Sequence, residues 1–337
     1  MRIIFNLMGC SLGNNGGSLT IIKSANTLLR LGHDVEIADT ARNQNSWIPL
    51  LVKHRIVKNI NDIENADVII ATGYDTVKTT LEYKKNIPKY HWIRAFETWK
   101  MNESKIIEKI MKPSTKKIVN SICLKNKFLK YGFDSEIIRP GNDFDIFYPM
   151  NIRKDNKKII IGGLYNNRNK EHRGRKRVDL FLEVAKKLKD ILPDKIEIHM
   201  MGDDILKEKN IVDFYLKSPS EKEKNKFFNR VDIWVTFSCS EGLHIPPQEA
   251  MLSEACVVGV DEELAGTQDY LINDRTGIVL KSTEIDYILT MLKILIFDSE
   301  QRNFFGKTGR KKILELGDRE ENMKKLINIF ERDMEKK

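Results

Sequence analysis

Short apolar runs alternate along the chain with longer stretches in which apolar residues recur every three or four positions. Ile3–Met8, Val35–Ala38, Val68–Ala71, His91–Arg94, Lys117–Asn120 and Glu136–Arg139 are short and bounded by polar or turn-forming residues, so they predict strands. Between the first two, Ile21, Ile22, Ala25, Leu28 and Leu29 fall at helical spacing and predict a helix over Ser18–Leu31. Gly32 is placed to end it, because glycine readily takes the positive φ of a helix terminus. Strand, helix, strand in repetition predicts parallel sheets covered by helices on both faces.

Pro140-Gly-Asn-Asp-Phe-Asp-Ile-Phe-Tyr-Pro149 breaks the series with turn residues. A second series then starts at Lys158–Gly162. It continues through a helix at Val178–Leu188 and strands at Ile196–Met201, Val231–Thr236 and Cys256–Val260. Two α/β domains are expected, 1–150 and 151–317, with the boundary at 150–156. After Gly317, Asp318 and Glu321 stand at the capping-box positions of a last helix, 318–337. A chain of 337 residues is long enough for two such cores.

Composition narrows the class. A hydrophobic content of 41% fits an ordinary soluble globular protein, and no apolar run is long enough to span a bilayer. The opening Met-Arg-Ile-Ile-Phe-Asn-Leu is too short and too soon charged for a signal peptide and predicts the first strand. Cys10, Cys123, Cys239 and Cys256 are scattered, which points to reduced thiols in a cytoplasmic protein. The net charge of +9 is uneven: residues 1–150 hold 22 basic and 15 acidic side chains. Lys100–Lys130 is especially rich in lysine. Such a face suits an anionic membrane or a phosphorylated acceptor, or equally a solvated helical surface. Nucleic acid is not expected, since no aromatic residues interleave with the basic ones.

The chemistry concentrates at Glu241-Gly-Leu-His-Ile-Pro-Pro-Gln-Glu249-Ala-Met. A buried strand precedes it, and Pro246-Pro247 suits the first turn of a helix. Glu241 is thus expected on a strand-to-helix loop and Glu249 within the helix. Loop N–H groups from Gly242, Leu243, His244 and Ile245, with the positive helix end, suit a diphosphate. The two carboxylates suit neutral hydroxyls beside it. A Glu early in a helix also compensates the helix dipole, so Glu249 alone is a weaker signal. Asp143-Phe-Asp145 has the spacing of a metal-binding pair but lies in the turn-rich break.

The pattern resembles the Glu, seven residues, Glu signature of retaining glycosyltransferases of family four, group 1 glycosyl transferases with the GT-B fold. His244 stands where Gly is common. The resemblance extends to Gly16-Gly17 before a helix that ends in Gly32-His-Asp-Val35. It also takes in the basic stretch Arg168, Lys170, Arg173, Arg175, Lys176, Arg177, and Gly266-Thr-Gln-Asp269. It implies two Rossmann-like parallel-sheet domains facing a central cleft, with the last helix returning to the first domain. It further implies transfer of a hexose-type sugar from a nucleoside-diphosphate sugar to a carbohydrate, lipid-linked or other hydroxyl acceptor. Such a reaction belongs to glycan, glycolipid or polysaccharide biosynthesis and needs no cofactor and no metal. Glu241 would serve the donor sugar and Glu249 the ribose. Lys176, with Arg173 or Arg168, would meet the diphosphate, and Gly16 and Gly17 would let backbone approach the donor. The family commonly carries a first-domain histidine facing the sugar. Here Arg94 or Glu97 falls nearest that position.

Three other functions are weighed. A nicotinamide-dependent oxidoreductase would use Gly9, Gly13, Gly16 and Asp39, but the G-x-x-x-G-x-x-G spacing fits a dinucleotide fingerprint poorly. A GT-B epimerase or phosphorylase, or a non-catalytic sugar-nucleotide-binding protein, would follow from fold alone.

Overall fold

The computed structural model describes residues 1–152 and 158–336. The chain forms two compact units: one runs from Met1 to Gly141 and resumes at Gly317, and the other is Asn142–Leu316.

The first unit is built on a seven-stranded, all-parallel sheet. Its strands are β1 (Arg2–Asn6), β2 (Asp34–Asp39), β3 (Lys53–Ile56), β4 (Val68–Ala71), β5 (Lys89–Ile93), β6 (Lys116–Val119) and β7 (Glu136–Ile137). They lie in the order β3-β2-β1-β4-β5-β6-β7. Alternation along β1 sends Ile3 and Phe5 into one core and Ile4 into another on the opposite face. Helices α1 (Gly16–Arg30), α2 (Tyr74–Leu81), α3 (Glu103–Ile106) and α4 (Ile122–Lys130) connect the strands. Ile21, Ile22, Ala25 and Leu28 of α1 join Ile3 and Phe5. The strand β3 has no counterpart in the apolar pattern. It is a sheet edge paired only with β2, and its Lys-His-Arg-Ile sequence buries none of its residues fully.

The second unit has a six-stranded parallel sheet. It comprises β8 (Ile159–Leu164), β9 (Ile196–Gly202), β10 (Phe214–Lys217), β11 (Ile233–Val235), β12 (Cys256–Val260) and β13 (Ile278–Leu280), in the order β10-β9-β8-β11-β12-β13. Helices α5 (Lys170–Lys176), α6 (Val178–Ile191), α7 (Glu221–Phe228), α8 (Ile245–Leu252), α9 (Ile285–Phe297) and α10 (Ser299–Glu315) complete it. The last helix of the chain, α11 (Arg319–Glu335), belongs to the first unit. Asp318 caps it with the reciprocal Glu321 bond. Met323, Leu326, Ile327 and Phe330 enter the core of β1 and α1, and the Tyr90 hydroxyl donates to Asp333 Oδ2 at 2.7 Å.

The second unit begins at Asn142, ahead of the 150–156 boundary, part of which lies outside the described residues. The cause is packing: Phe147 is buried against Phe228, and the N–H groups of Tyr148 and Met150 donate to Asn225 and Asn229. The basic stretch 168–177 contains α5. Asn169 caps that helix by accepting from His172 N at 2.8 Å.

In each sheet the winding direction reverses once, between β1 and β4 and between β8 and β11. The crevice beyond the carboxyl ends of strands at such a reversal is where open parallel sheets bind ligands.

Candidate active site

In the second unit the two chain segments that leave this reversal carry the predicted chemistry. From β8 the chain enters α5, which ends at Lys176; from β11 it passes through Glu241 into α8. Lys176 Nζ donates to Glu241 Oε1, and these side chains are only 15% and 14% exposed. The loop is fixed from behind by Glu241 N–H donating to Leu264 O at 2.7 Å. Burial alone raises the Glu241 carboxyl. Lys176, His244 and Arg175 outweigh that and bring it down to about 2, so it is ionised at neutral pH.

Gly266 makes this close packing feasible. It has φ +71°, and a Cβ there would stand 2.8 Å from Glu241 Cβ. Its carbonyl accepts from His244 N–H at 3.1 Å. His244 therefore cannot offer its N–H to a diphosphate, contrary to expectation. Pro246 and Pro247 have no N–H, so Ile245 is the one N–H donor among the first three helical residues of α8. Gly242 is buried and Leu243 packs on the core beneath. His244 is buried, its ring 3.4 Å from Thr236 Oγ1 and 3.9 Å from Glu241 Oε1. Burial is the main reason its imidazole falls to about 4 and stays neutral.

Glu249 lies in the second turn of α8, buried, with Lys224 Nζ 3.6 Å from its Oε1. The two carboxylates of the motif thus each have a separate lysine. Of the predicted cations, Arg173 is engaged elsewhere. Its guanidinium bonds Asp179, Glu208 at 2.9 Å and Asn167 at 3.1 Å. Arg168 is exposed. Arg175, not singled out from sequence, donates to Ser240 O at 3.3 Å, next to Glu241. Nothing in a run of consecutive basic residues distinguishes these directions before the short α5 is known.

In the first unit, Gly16 and Gly17 form the opening turn of α1 rather than a loop, because Asn15 caps the helix by accepting from Ser18 N at 2.9 Å. Arg94 follows β5 and donates to Gly17 O and Thr72 O, tying the start of α1 to the end of β4. Glu97 pairs with Lys100 at 3.3 Å. His91 is buried within β5. Among the described residues no helix is long and apolar enough to cross a membrane.

Residues 155–312 match the family model of group 1 glycosyl transferases, a span nearly coextensive with the second unit. No curated protein sequence matches the chain. Among solved structures, the chain is similar to sucrose-phosphate synthase from Thermosynechococcus elongatus, with TM-score 0.78, 13% identity and all of both chains covered. It is similar to HepE of Anabaena in complex with UDP and glucose, with TM-score 0.78 and 14% identity over 98% of this chain and 100% of that one. A mutant of S. aureus TarM in complex with fondaparinux, alpha-GlcNAc-glycerol and UDP gives TM-score 0.62 and 22% identity, over 78% of this chain and 55% of that one. The fold is GT-B, two Rossmann-like parallel-sheet domains. The family match covers less than half of the chain, and the similar structures, each at most 22% identical, show the fold.

Proposed function

We propose that the protein is a retaining glycosyltransferase that moves a hexose-type sugar from a nucleoside-diphosphate sugar to an acceptor hydroxyl. The observation that carries this is the partly buried Lys176–Glu241 pair at the sheet reversal of the second unit. A cation and an ionised carboxylate side by side match the two halves of the donor, its diphosphate and its hydroxyl-bearing sugar. HepE was solved with UDP and glucose, and TarM with UDP and a glycoside, which supports a sugar nucleotide as the donor.

In this mechanism Lys176, Arg175 and the Ile245 N–H meet the diphosphate as charge builds on it, with no metal ion required. Glu241 binds sugar hydroxyls and stabilises the oxocarbenium-like centre, and Glu249 takes the ribose. The anomeric C–O bond to phosphate breaks as the bond to the acceptor oxygen forms on the same face. The acceptor proton passes to the departing phosphate oxygen. Arg173 contributes by fixing α5, which carries Lys176, through Asp179 and Glu208. The first unit serves the acceptor, with Arg94 and Glu97 beside its loops. Of the Lys100–Lys130 stretch Lys117 and Lys127 are buried, so an anionic membrane would meet only the remaining lysines. The products belong to glycan, glycolipid or polysaccharide biosynthesis.

A thermal-shift panel of UDP-, GDP- and ADP-sugars tests the donor class. One nucleotide series is expected to raise the melting temperature with the logarithm of its concentration. No shift with any donor, and no nucleotide release across an acceptor panel, would refute the proposal.

A further inference from the structure

Besides Lys176, Glu241 faces a polar atom that has no partner of its own. His244 Nε2 is buried, makes no hydrogen bond and lies 3.9 Å from Glu241 Oε1. The other ring nitrogen is 3.4 Å from Thr236 Oγ1. Ser238 N–H already donates to that oxygen, also at 3.4 Å. In the tautomer in which the Thr236 hydroxyl donates to Nδ1, the ring proton sits on Nε2, facing the carboxylate.

The consequence rests on the sugar-nucleotide reading of the site. A bound diphosphate competes with Glu241 for the Lys176 ammonium. A buried carboxylate that loses its cation is left uncompensated and is driven toward protonation or away from its place. We infer that His244 is a positioning residue that takes Glu241 over from Lys176. As the lysine turns to the diphosphate, Glu241 closes the 3.9 Å gap to the Nε2–H, which keeps the carboxylate ionised and aimed at the sugar. No proton is transferred and no covalent bond changes.

The backbone around the ring is built to stay still during this exchange. His244 N–H donates to Gly266 O at 3.1 Å. Its carbonyl accepts from the Tyr270 hydroxyl at 2.7 Å and from Gln248 Nε2 at 3.3 Å. Movement is left to the Glu241 and Lys176 side chains. Gly is common at this position in the pattern that the motif resembles, so the device is a feature of this chain.

The test is NMR of the full chain carrying ¹⁵N-labelled histidine, with the His244 signals assigned by His244→Asn. Without nucleotide, the wild type is expected to show the Nε2–H tautomer. In Lys176→Met, still without nucleotide, the Nε2 proton is expected to move downfield as it bonds the carboxylate. The double variant Lys176→Met/Glu241→Gln should reverse that displacement. Adding UDP to the wild type should reproduce it. An Nδ1–H tautomer, or a resonance that Lys176→Met leaves in place, overturns the inference. The Lys176→Met arm needs no nucleotide, so a failure of UDP to bind counts against the donor reading alone. Should Lys176→Met not fold, turnover decides. His244→Ala is expected to lower kcat about tenfold, less than the loss of a donor to the developing charge itself. His244→Gln, which restores an N–H, is expected to recover most of that loss, and equal losses in both variants overturn the inference.

Discussion

Lys176 Nζ donates to Glu241 Oε1 across 65 residues of sequence, where the segments leaving β8 and β11 come together. The pair makes stability depend on pH in a definite direction. The Glu241 carboxyl is held at about 2 against an ordinary 4.5, so its contribution is fully present above 4.5 and is lost as pH falls toward 2. Urea titrations above and inside that window should show the wild type losing more stability than Glu241→Gln does. Parallel losses would mean that the pair is not formed in solution.

Removing only the cation should be worse than removing an exposed one. Lys176→Met leaves a largely buried carboxylate without its cation, with only the neutral His244 ring beside it, and is expected to cost about 3 kcal/mol. Arg168→Met, at an exposed position, should stay within about 0.5 kcal/mol of wild type. Chemical denaturation at neutral pH measures both.

The first unit carries its own acid sensitivity. His91 is buried in β5, its Nδ1 unbonded. Burial first, then the charges of Lys117 and Arg94, pull the ring down to about 3. The unfolded chain therefore binds the proton more readily, and stability falls as pH drops from the ordinary 6.5 toward 3. His91→Gln should flatten that part of the profile. The readout is melting temperature against pH for the two proteins.

Closure of the first unit by α11 depends on Gly141. It has φ +72°, and a Cβ there would stand 2.6 Å from the backbone of Arg319. Gly141→Ala is expected to cost at least about 2 kcal/mol, combining an adverse φ with a clash against backbone. Tyr90→Phe removes a single bond to Asp333, which Lys116 also holds at 2.8 Å, and should cost about 1 kcal/mol. The ranking is checked by denaturation and by proteolytic release of the C-terminal helix.

Much of this fold is legible in the chain because both sheets are parallel and buried on both faces. Their inner strands are continuous apolar runs such as Val68–Ala71 and Cys256–Val260. Two of the edge strands escape that signal: β3 is Lys-His-Arg-Ile, and β10 exposes Phe214. The helix α5 escapes it too, since it buries no residue and exists through the Asn169 cap. The Glu241–Glu249 motif is legible as a loop entering a helix because of its two prolines. The sequence does not indicate which cation meets Glu241, because Arg173, Arg175 and Lys176 differ only in where α5 points them. Nor does it reveal that the His244 N–H is already taken by Gly266.

The most direct measurement of the central claim is sugar transfer by Glu241→Gln. Donor turnover is followed with the sugar nucleotide that stabilises the wild type, after the variant is shown to melt like the wild type at neutral pH. Loss of the ionised carboxylate from a preorganised site is expected to lower kcat about 10²- to 10³-fold while donor binding persists. Wild-type turnover in Glu241→Gln would contradict the account.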